Sequence, residues 1–407
     1  MINLHIQICR MEELMEISEK LVAEAPAGFK RYLIQKINWT DRLIGIKGAR
    51  GTGKTTLLLQ WLSGKKWPLS QAAYFSLDEL YFTTHSLLET AKRFHQLGGK
   101  LLVLDEVHKY PGWAAEIKNL YDRYPDLQII FTGSSIIDIS REEGDLSRRA
   151  IMYELKGLSF REYLAFFHGQ HFDPLSLETL LSPVAALREH FPPDFKPLAH
   201  FRDYLEYGYY PFSATNRESY HQRLRQLVRM VVEYDMAELK GFDIRHAKKM
   251  LQLLYVVAQQ VPFKPNINNL AAKTKIHRNS INNYLYFLRE ARLIHLLYPE
   301  GISVAVLQKP EKIFMENTNL LYALSEMEPS AGTVREVFFN NQLSTRHRVN
   351  HSGKTDFAVD GRFYFETGGR NKSRKQVTDL QNAWVVKDGL EYPAGQSLPL
   401  WLFGFLY

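Results

Sequence analysis

The sequence predicts an α/β protein whose first part is built on a parallel sheet, and three observations carry that expectation. Short apolar runs alternate with helix-like segments through the first third of the chain. A glycine-rich stretch lies between the first run and the first helix. The third run ends in two adjacent carboxylates. The runs cover residues 43–46, 72–77, 101–104 and 127–131, and the helical patterns between them cover 56–62, 87–96 and 113–124. Short buried strands alternating with helices imply right-handed βαβ units.

From about residue 156 the pattern changes. Segments 158–167, 201–207 and 224–239 have helical spacing, and Pro192, Pro193 and Pro197 mark a break between helices. Residues 256–300 read as a compact helical unit. Beyond Val306 the period shortens toward two, as in 357–367, and the chain ends in the apolar stretch 398–407. The expected domains are 1–155, a helical region 156–305 and an α+β region 306–407.

Composition narrows the class. The chain has 407 residues, 45% hydrophobic and 23% charged, as in ordinary globular proteins. Its single cysteine, Cys9, rules out an intrachain disulfide framework and suits a reducing compartment. The early acids Glu12, Glu13, Glu16 and Glu19 do not fit a secretory signal, and no apolar run is long enough to span a membrane. A cytoplasmic location without a membrane partner is expected. The net charge of +7 favours a polyanionic partner such as nucleic acid, and is equally that of an ordinary basic protein. Oligomeric state is not legible.

Gly48-Ala49-Arg50-Gly51-Thr52-Gly53-Lys54-Thr55 matches the pattern G-x-x-x-x-G-K-[ST] in full, after a strand candidate and opening a helix candidate. Glycines let backbone N–H groups turn inward around phosphate oxygens, and a helix N-terminus adds free donors. ATP or ADP is the expected ligand, held by Gly48, Arg50, Gly51, Thr52, Gly53, Lys54, Thr55 and Thr56. Lys54 is expected on the β- and γ-phosphates and Thr55 on Mg²⁺.

Asp105 and Glu106 end the run 101–104, at the strand end where ligands of parallel sheets bind. Asp105 is expected to hold Mg²⁺, and Glu106 to take the proton of an attacking water. Thr132 and Ser134 end the next strand candidate; a hydroxyl there either orients that water or caps a following helix. In Asp145-Leu146-Ser147-Arg148-Arg149, one arginine either stabilises transition-state charge, in its own subunit or a neighbour's, or is simply exposed. His108 is read as a packed or solvent-facing histidine, with a bridge from the acidic pair to the next helix as the alternative.

These residues resemble the AAA-type ATPases of bacteria and archaea that carry an uncharacterised C-terminal domain. The resemblance rests on GARGTGKTTLL, LLVLDEVHKYPGW, IIFTGSS, LSRRA, LKGLSFREYL, YLEYGYYPF, REVFFNNQL and DFAVDGRFYFETGGRNK. It implies a P-loop ATPase core, a helical region with a winged-helix unit, and a C-terminal fold like the restriction endonucleases. It also implies Ser134 as the sensor and Arg149 as the finger arginine.

Two further features stand apart from the phosphate motif. Residues 269–281 read as helix, turn, helix, with Ile281, Leu285 and Leu288 on one apolar face and His277, Arg278, Asn279, Asn282 and Asn283 clustered at the start of the second helix. Such a unit either meets DNA or serves as a packing module. Near the C-terminus, Glu336, Asp356 and Glu366 are spaced as in the D…E-x-K nucleases, except that Gly368 stands where the lysine belongs. Lys372 is the candidate replacement. A two-residue Asp360-Gly361 turn sets Asp356 opposite Phe365, with Glu366 on the other face. A three-residue loop from Val359 to Gly361 sets Asp356 opposite Tyr364, diagonal to Glu366. A nuclease-derived fold that no longer cuts is the alternative to an active one.

Overall fold

The structure is a computed structural model that describes residues 2–65, 67–68, 70–134, 146, 148–236, 244–260, 267–301 and 310–407. The side chains of residues 2–10, 244 and 279 are not among those described, so the Asn279 side chain lies outside the described residues, as do Ser135, Asp145, Ser147 and the end of the helix expected over 224–239. The chain divides into two compact units, 1–156 and 157–407.

In the first unit, helix α1 (Ile2–Ala23) precedes five strands: β1 (Leu43–Gly48), β2 (Ala72–Ser76), β3 (Leu101–Asp105), β4 (Gln128–Ser134) and β5 (Ile151–Glu154). Helices α2 (Lys54–Lys65), α3 (Leu87–Gln96) and α4 (Trp113–Arg123) follow β1, β2 and β3. The sheet order is β2-β3-β4-β1-β5, and every neighbouring pair is parallel. Helix α2 is buried on most of its surface because its Leu57, Leu58, Trp61 and Leu62 pack with Ile44, Ile46 and Val103 of the sheet. Strand β4 lies between β1 and β3, so the loop after β1 and the acids after β3 open at the same C-terminal edge, two strands apart.

Two elements of this unit were not read from sequence. β5 is an edge strand with partly exposed side chains, and so lacks the continuous apolar run that marked its neighbours. α1 covers the opposite edge, where Ser18 Oγ accepts the Tyr74 N–H at 2.8 Å.

In the second unit, helices α5 (Phe160–His168), α6 (Leu198–Tyr207), α7 (Tyr220–Met230), α8 (Ala247–Ala258), α9 (Ile267–Thr274) and α10 (Arg278–Glu290) come first. An antiparallel pair follows, β6 (Ile294–Leu297) with β7 (Lys312–Met315). Helices α11 (Thr318–Leu324) and α12 (Ala331–Leu343) lead to β8 (Val349–Asn350), β9 (Phe357–Val359), β10 (Phe363–Gly368), β11 (Ala383–Lys387) and β12 (Ser397–Pro399). β8, β9 and β10 form an antiparallel meander, and β11 and β12 continue the sheet in parallel to β10.

The segments expected as separate regions on either side of residue 305 share one polar and aromatic core. Asn319 of α11 uses its full side-chain capacity there. Its Oδ1 accepts from Tyr209 N at 2.8 Å and Tyr220 OH at 2.5 Å, and its Nδ2 donates to the Tyr204 and Leu205 carbonyls at 3.2 and 2.9 Å. The Ser159 hydroxyl, in a capping box with Glu162, donates to the Tyr407 carbonyl at 2.7 Å. Replacing Asn319 by leucine keeps the volume and strands two buried donors and two carbonyls. A loss of about 3 kcal/mol is expected, read as a lower urea midpoint for the second unit.

Candidate functional site

The loop after β1 is shaped by backbone before any ligand is considered. Gly51 and Gly53 hold φ of 82° and 92°, where a side chain is strained. At Gly48 the reason for glycine is space: a Cβ there would stand 2.4 Å from the Leu155 carbonyl oxygen and 3.3 Å from Thr52 Oγ1. Thr52 is buried and its hydroxyl donates to Ala49 O at 2.8 Å, closing the turn. Lys54 curls back over the loop, its ammonium 3.0 Å from Gly48 O and 3.2 Å from Ala49 O. Arg50 is half-buried, and Thr55 and Thr56 are exposed at the first turn of α2.

Asp105 is the meeting point of this edge. Its Oδ2 accepts from Thr55 Oγ1 at 2.6 Å and from Tyr74 OH at 2.7 Å; its Oδ1 accepts from Glu106 N at 3.0 Å and from the Thr132 hydroxyl. Burial, and then the charge of Asp105, push the Tyr74 phenol far above its ordinary pKa, so Tyr74 is a donor throughout the physiological range. Tyr74 was not singled out in the sequence, because a tyrosine in an apolar strand looks like core. Thr132 is committed to Asp105 and to the Glu106 N–H, 3.3 Å away, rather than to an attacking water.

Glu106 turns out of the strand in the left-handed region, at φ 51°. Its Oε2 lies 3.4 Å from Nε2 of the buried His108, whose Nδ1 accepts the Ser134 N–H at 3.4 Å. His108 is packed, as one of its two readings expects, and it lies between Glu106 and the end of β4 rather than reaching the next helix. Ser134 joins the site through its backbone.

Arg149 precedes β5, at the sheet edge away from the phosphate loop. Its guanidinium grips Asp122 of α4 at 2.9 and 3.0 Å, which holds that carboxyl below its usual range. A contact between Arg149 and phosphate on its own subunit does not fit this placement. A different arginine serves the loop. The buried Arg31 donates to Thr52 O at 2.5 Å and to Lys156 O at 2.6 Å. Gln60 of α2 fixes the segment before it, donating to Pro26 O and Phe29 O at 2.9 Å. No local spacing announces a link between residues 31, 52 and 156.

In the second unit, Glu336, Asp356 and Glu366 do converge, by a register that neither turn considered above provides. Val359 pairs with Phe363 across the loop Asp360–Arg362, and this register sets Asp356 directly across from Glu366. Asp356 N donates to Glu366 Oε2 at 3.2 Å, and Asp356 Oδ2 accepts from Thr367 N and Oγ1 at 3.0 and 2.8 Å. Lys312 places its ammonium 2.8 Å from Glu336 and 3.4 Å from Asp356. Lys372 reaches Glu366 at 2.6 Å. A Cβ on Gly368 would stand 2.4 Å from Lys372 Cβ and Cγ, so the missing side chain makes room for this lysine. Burial raises the Glu336 pKa, and Lys312 partly offsets that effect. Among the described residues, no three His, Cys, Asp or Glu side chains are grouped to hold a metal ion.

Comparison with known proteins agrees with the first sheet. Residues 40–164 match the family model described as AAA domain, and residues 198–331 match a domain of unknown function (DUF8612). An uncharacterized protein of Methanocaldococcus jannaschii is 28% identical over 289 residues, 68% of this chain and 61% of that protein. This chain therefore spans about three fifths of that relative. Among solved structures, the S. cerevisiae Hsp104–ADP complex matches with a TM-score of 0.33 at 16% identity, over 68% of this chain and 41% of that one. The AMPPCP-bound DnaA of Aquifex aeolicus matches with a TM-score of 0.26 at 18% identity, over 67% and 86% of the two chains. Residues 40–164 are thus similar to AAA domains, and the parallel sheet with its glycine-rich loop is consistent with a P-loop core.

The packing at Gly48 separates shape from composition. Gly48→Ala is expected to destabilise the first unit by about 2 kcal/mol or more, because its neighbour is backbone and cannot turn aside. Gly64→Ala, in open space near the end of α2, is expected to be neutral or to stabilise by up to about 1 kcal/mol. Thermal unfolding of the two variants beside the parent chain measures both.

Proposed function

We propose that this chain is a magnesium-dependent ATPase that works as a nucleotide-driven switch. The observation that carries the reading is the 2.6 Å bond from Thr55 to Asp105, which brings the first residue pair of α2 and the end of β3 together beside the glycine loop. A hydroxyl and a carboxylate oxygen are hard donors of the kind Mg²⁺ takes alongside substrate phosphates. Thr55 and Asp105 would hold that ion, which when bound neutralises phosphate charge. Lys54, whose ammonium lies on two loop carbonyls, would turn to the β- and γ-phosphates. Glu106, held by His108, is the base for an attacking water, with Ser134 at the end of the same bridge. Arg31 supports the switch: it joins the phosphate loop to Lys156, the last residue before the second unit.

Two variants test this. Lys54→Ala is expected to lose nucleotide binding in calorimetry. Glu106→Gln is expected to keep binding and to lose turnover by about a hundredfold or more. Turnover at the parental rate in Glu106→Gln removes Glu106 from its role, and unaltered binding in Lys54→Ala removes the reading as a whole.

For the second unit we infer a nuclease-derived fold that does not cut. Its helix α12, antiparallel meander and parallel β11 support the restriction-endonuclease-like reading, and the two ammonium groups lying on its three carboxylates support the absence of cutting. No cleavage of DNA or RNA with Mg²⁺ or Mn²⁺ is expected. Cleavage that is lost in both Asp356→Ala and Glu366→Ala overturns the inference and restores a metal-dependent nuclease.

A further inference from the structure

Charge is unevenly placed along this chain. Residues 245–300 hold nine Lys or Arg and two Asp or Glu, an excess equal to the net +7 of the whole protein. The rest of the chain sums to no net charge, so this segment supplies the protein's net excess.

The segment folds into a recognisable shape. α9 and α10 form a helix–turn–helix through Lys275, whose φ is 55°, and the β6–β7 pair follows. α10 buries Ile281, Tyr284, Leu285 and Leu288. On its other side, Arg278, Asn282, Asn283 and Tyr286 are exposed, within an arc of roughly 140° at 100° per residue. That stripe has no acid. The only acid of α10, Glu290, is paired with Arg289 at 2.6 Å. Lys273 and Lys275 are exposed beside the start of the helix.

We propose that α10 is a docking helix for duplex DNA, lying in the major groove with Lys273, Lys275 and Arg278 on phosphates and Asn282 and Asn283 on base edges. The amide pair decides the partner. Each carboxamide offers a donor and an acceptor, which match the N6 and N7 edge of adenine. An anionic membrane would use the cations and leave the amides idle, since binding there grows with apolar insertion. The major groove of duplex RNA is too narrow to admit a helix. The proposal does not depend on nucleotide turnover.

The test uses the full chain and fluorescence anisotropy with a short mixed-sequence DNA duplex over a range of salt. Binding is expected at about micromolar to 100 micromolar near physiological salt, with log affinity falling linearly in log salt. Lys273→Gln, Lys275→Gln and Arg278→Gln together are expected to weaken binding at least tenfold and to flatten the slope by about two to three. Arg370→Gln, Arg374→Gln and Lys375→Gln, an equal charge loss on another exposed loop, are expected to leave binding within twofold. Lys54→Ala is expected to bind the duplex like the parent, so that failure of the ATPase reading and failure of this one are told apart. The proposal is overturned if the parent shows no binding at low salt, if the Lys273, Lys275 and Arg278 triple variant with parental thermal stability binds as the parent does, or if RNA duplex or anionic vesicles bind more tightly than DNA.

Discussion

One buried carboxylate organises the first unit. Asp105 is almost wholly enclosed, and taking a carboxylate out of water is costly unless donors replace the solvent. Here they come from α2, β2, β4 and the next residue's own amide. Each donor is therefore constrained by the same group. Thr55 cannot shift without altering the phosphate loop, and Thr132 cannot shift without moving the strand between the loop and the acids. The left-handed turn at Glu106 follows from that requirement. The chain must bring its N–H back onto Asp105 while sending the next side chain outward, toward His108.

The second unit handles buried carboxylates differently. Hydroxyl and amide donors reach Asp105, whereas Lys312 and Lys372 set full positive charges on Glu336, Asp356 and Glu366. The distinction matters for what each cluster can exchange. A hydroxyl can swing from a carboxylate to share an incoming hard cation at little cost. An ammonium has to be driven out of an ion pair that lies in a poorly solvated place, leaving its own charge to be rehydrated elsewhere. The glycine at 368 reinforces this, since the space it leaves is filled by the Lys372 stem.

What the sequence made legible follows the range of the interactions. The phosphate loop is eight consecutive residues, and the acids close a continuous apolar run, so both were readable from neighbours alone. Helix α3 was read from residue 87 to 96, and in the structure Ser86 caps it there, its side chain accepting from Glu89 N. Edge strand β5 and helix α1 were not read, because partial exposure blurs the pattern that burial creates. The hairpin at Asp360 was read with the wrong register. Asp360 and Gly361 both take positive φ as an Asp-Gly turn should, but Arg362 adds a third loop residue, which moves every pairing beyond it. Tyr74, Arg31 and the role of His108 depend on partners 31, 21 and 26 residues away in sequence, and no spacing rule reaches that far.

Those long-range contacts are the ones that would make a nucleotide's presence felt beyond its own pocket. Thr52 carries both an amide of the loop and the carbonyl that Arg31 holds. A peptide plane is rigid, so a small rotation that re-aims a loop amide also re-aims a carbonyl. The guanidinium, planar and fork-shaped, has its other arm on Lys156 O. Covalent planes and two short hydrogen bonds therefore link the loop to Lys156, the last residue of the first unit. Glu106, through His108, reports separately to the end of β4. The first route ends at Lys156 and the second at the end of β4.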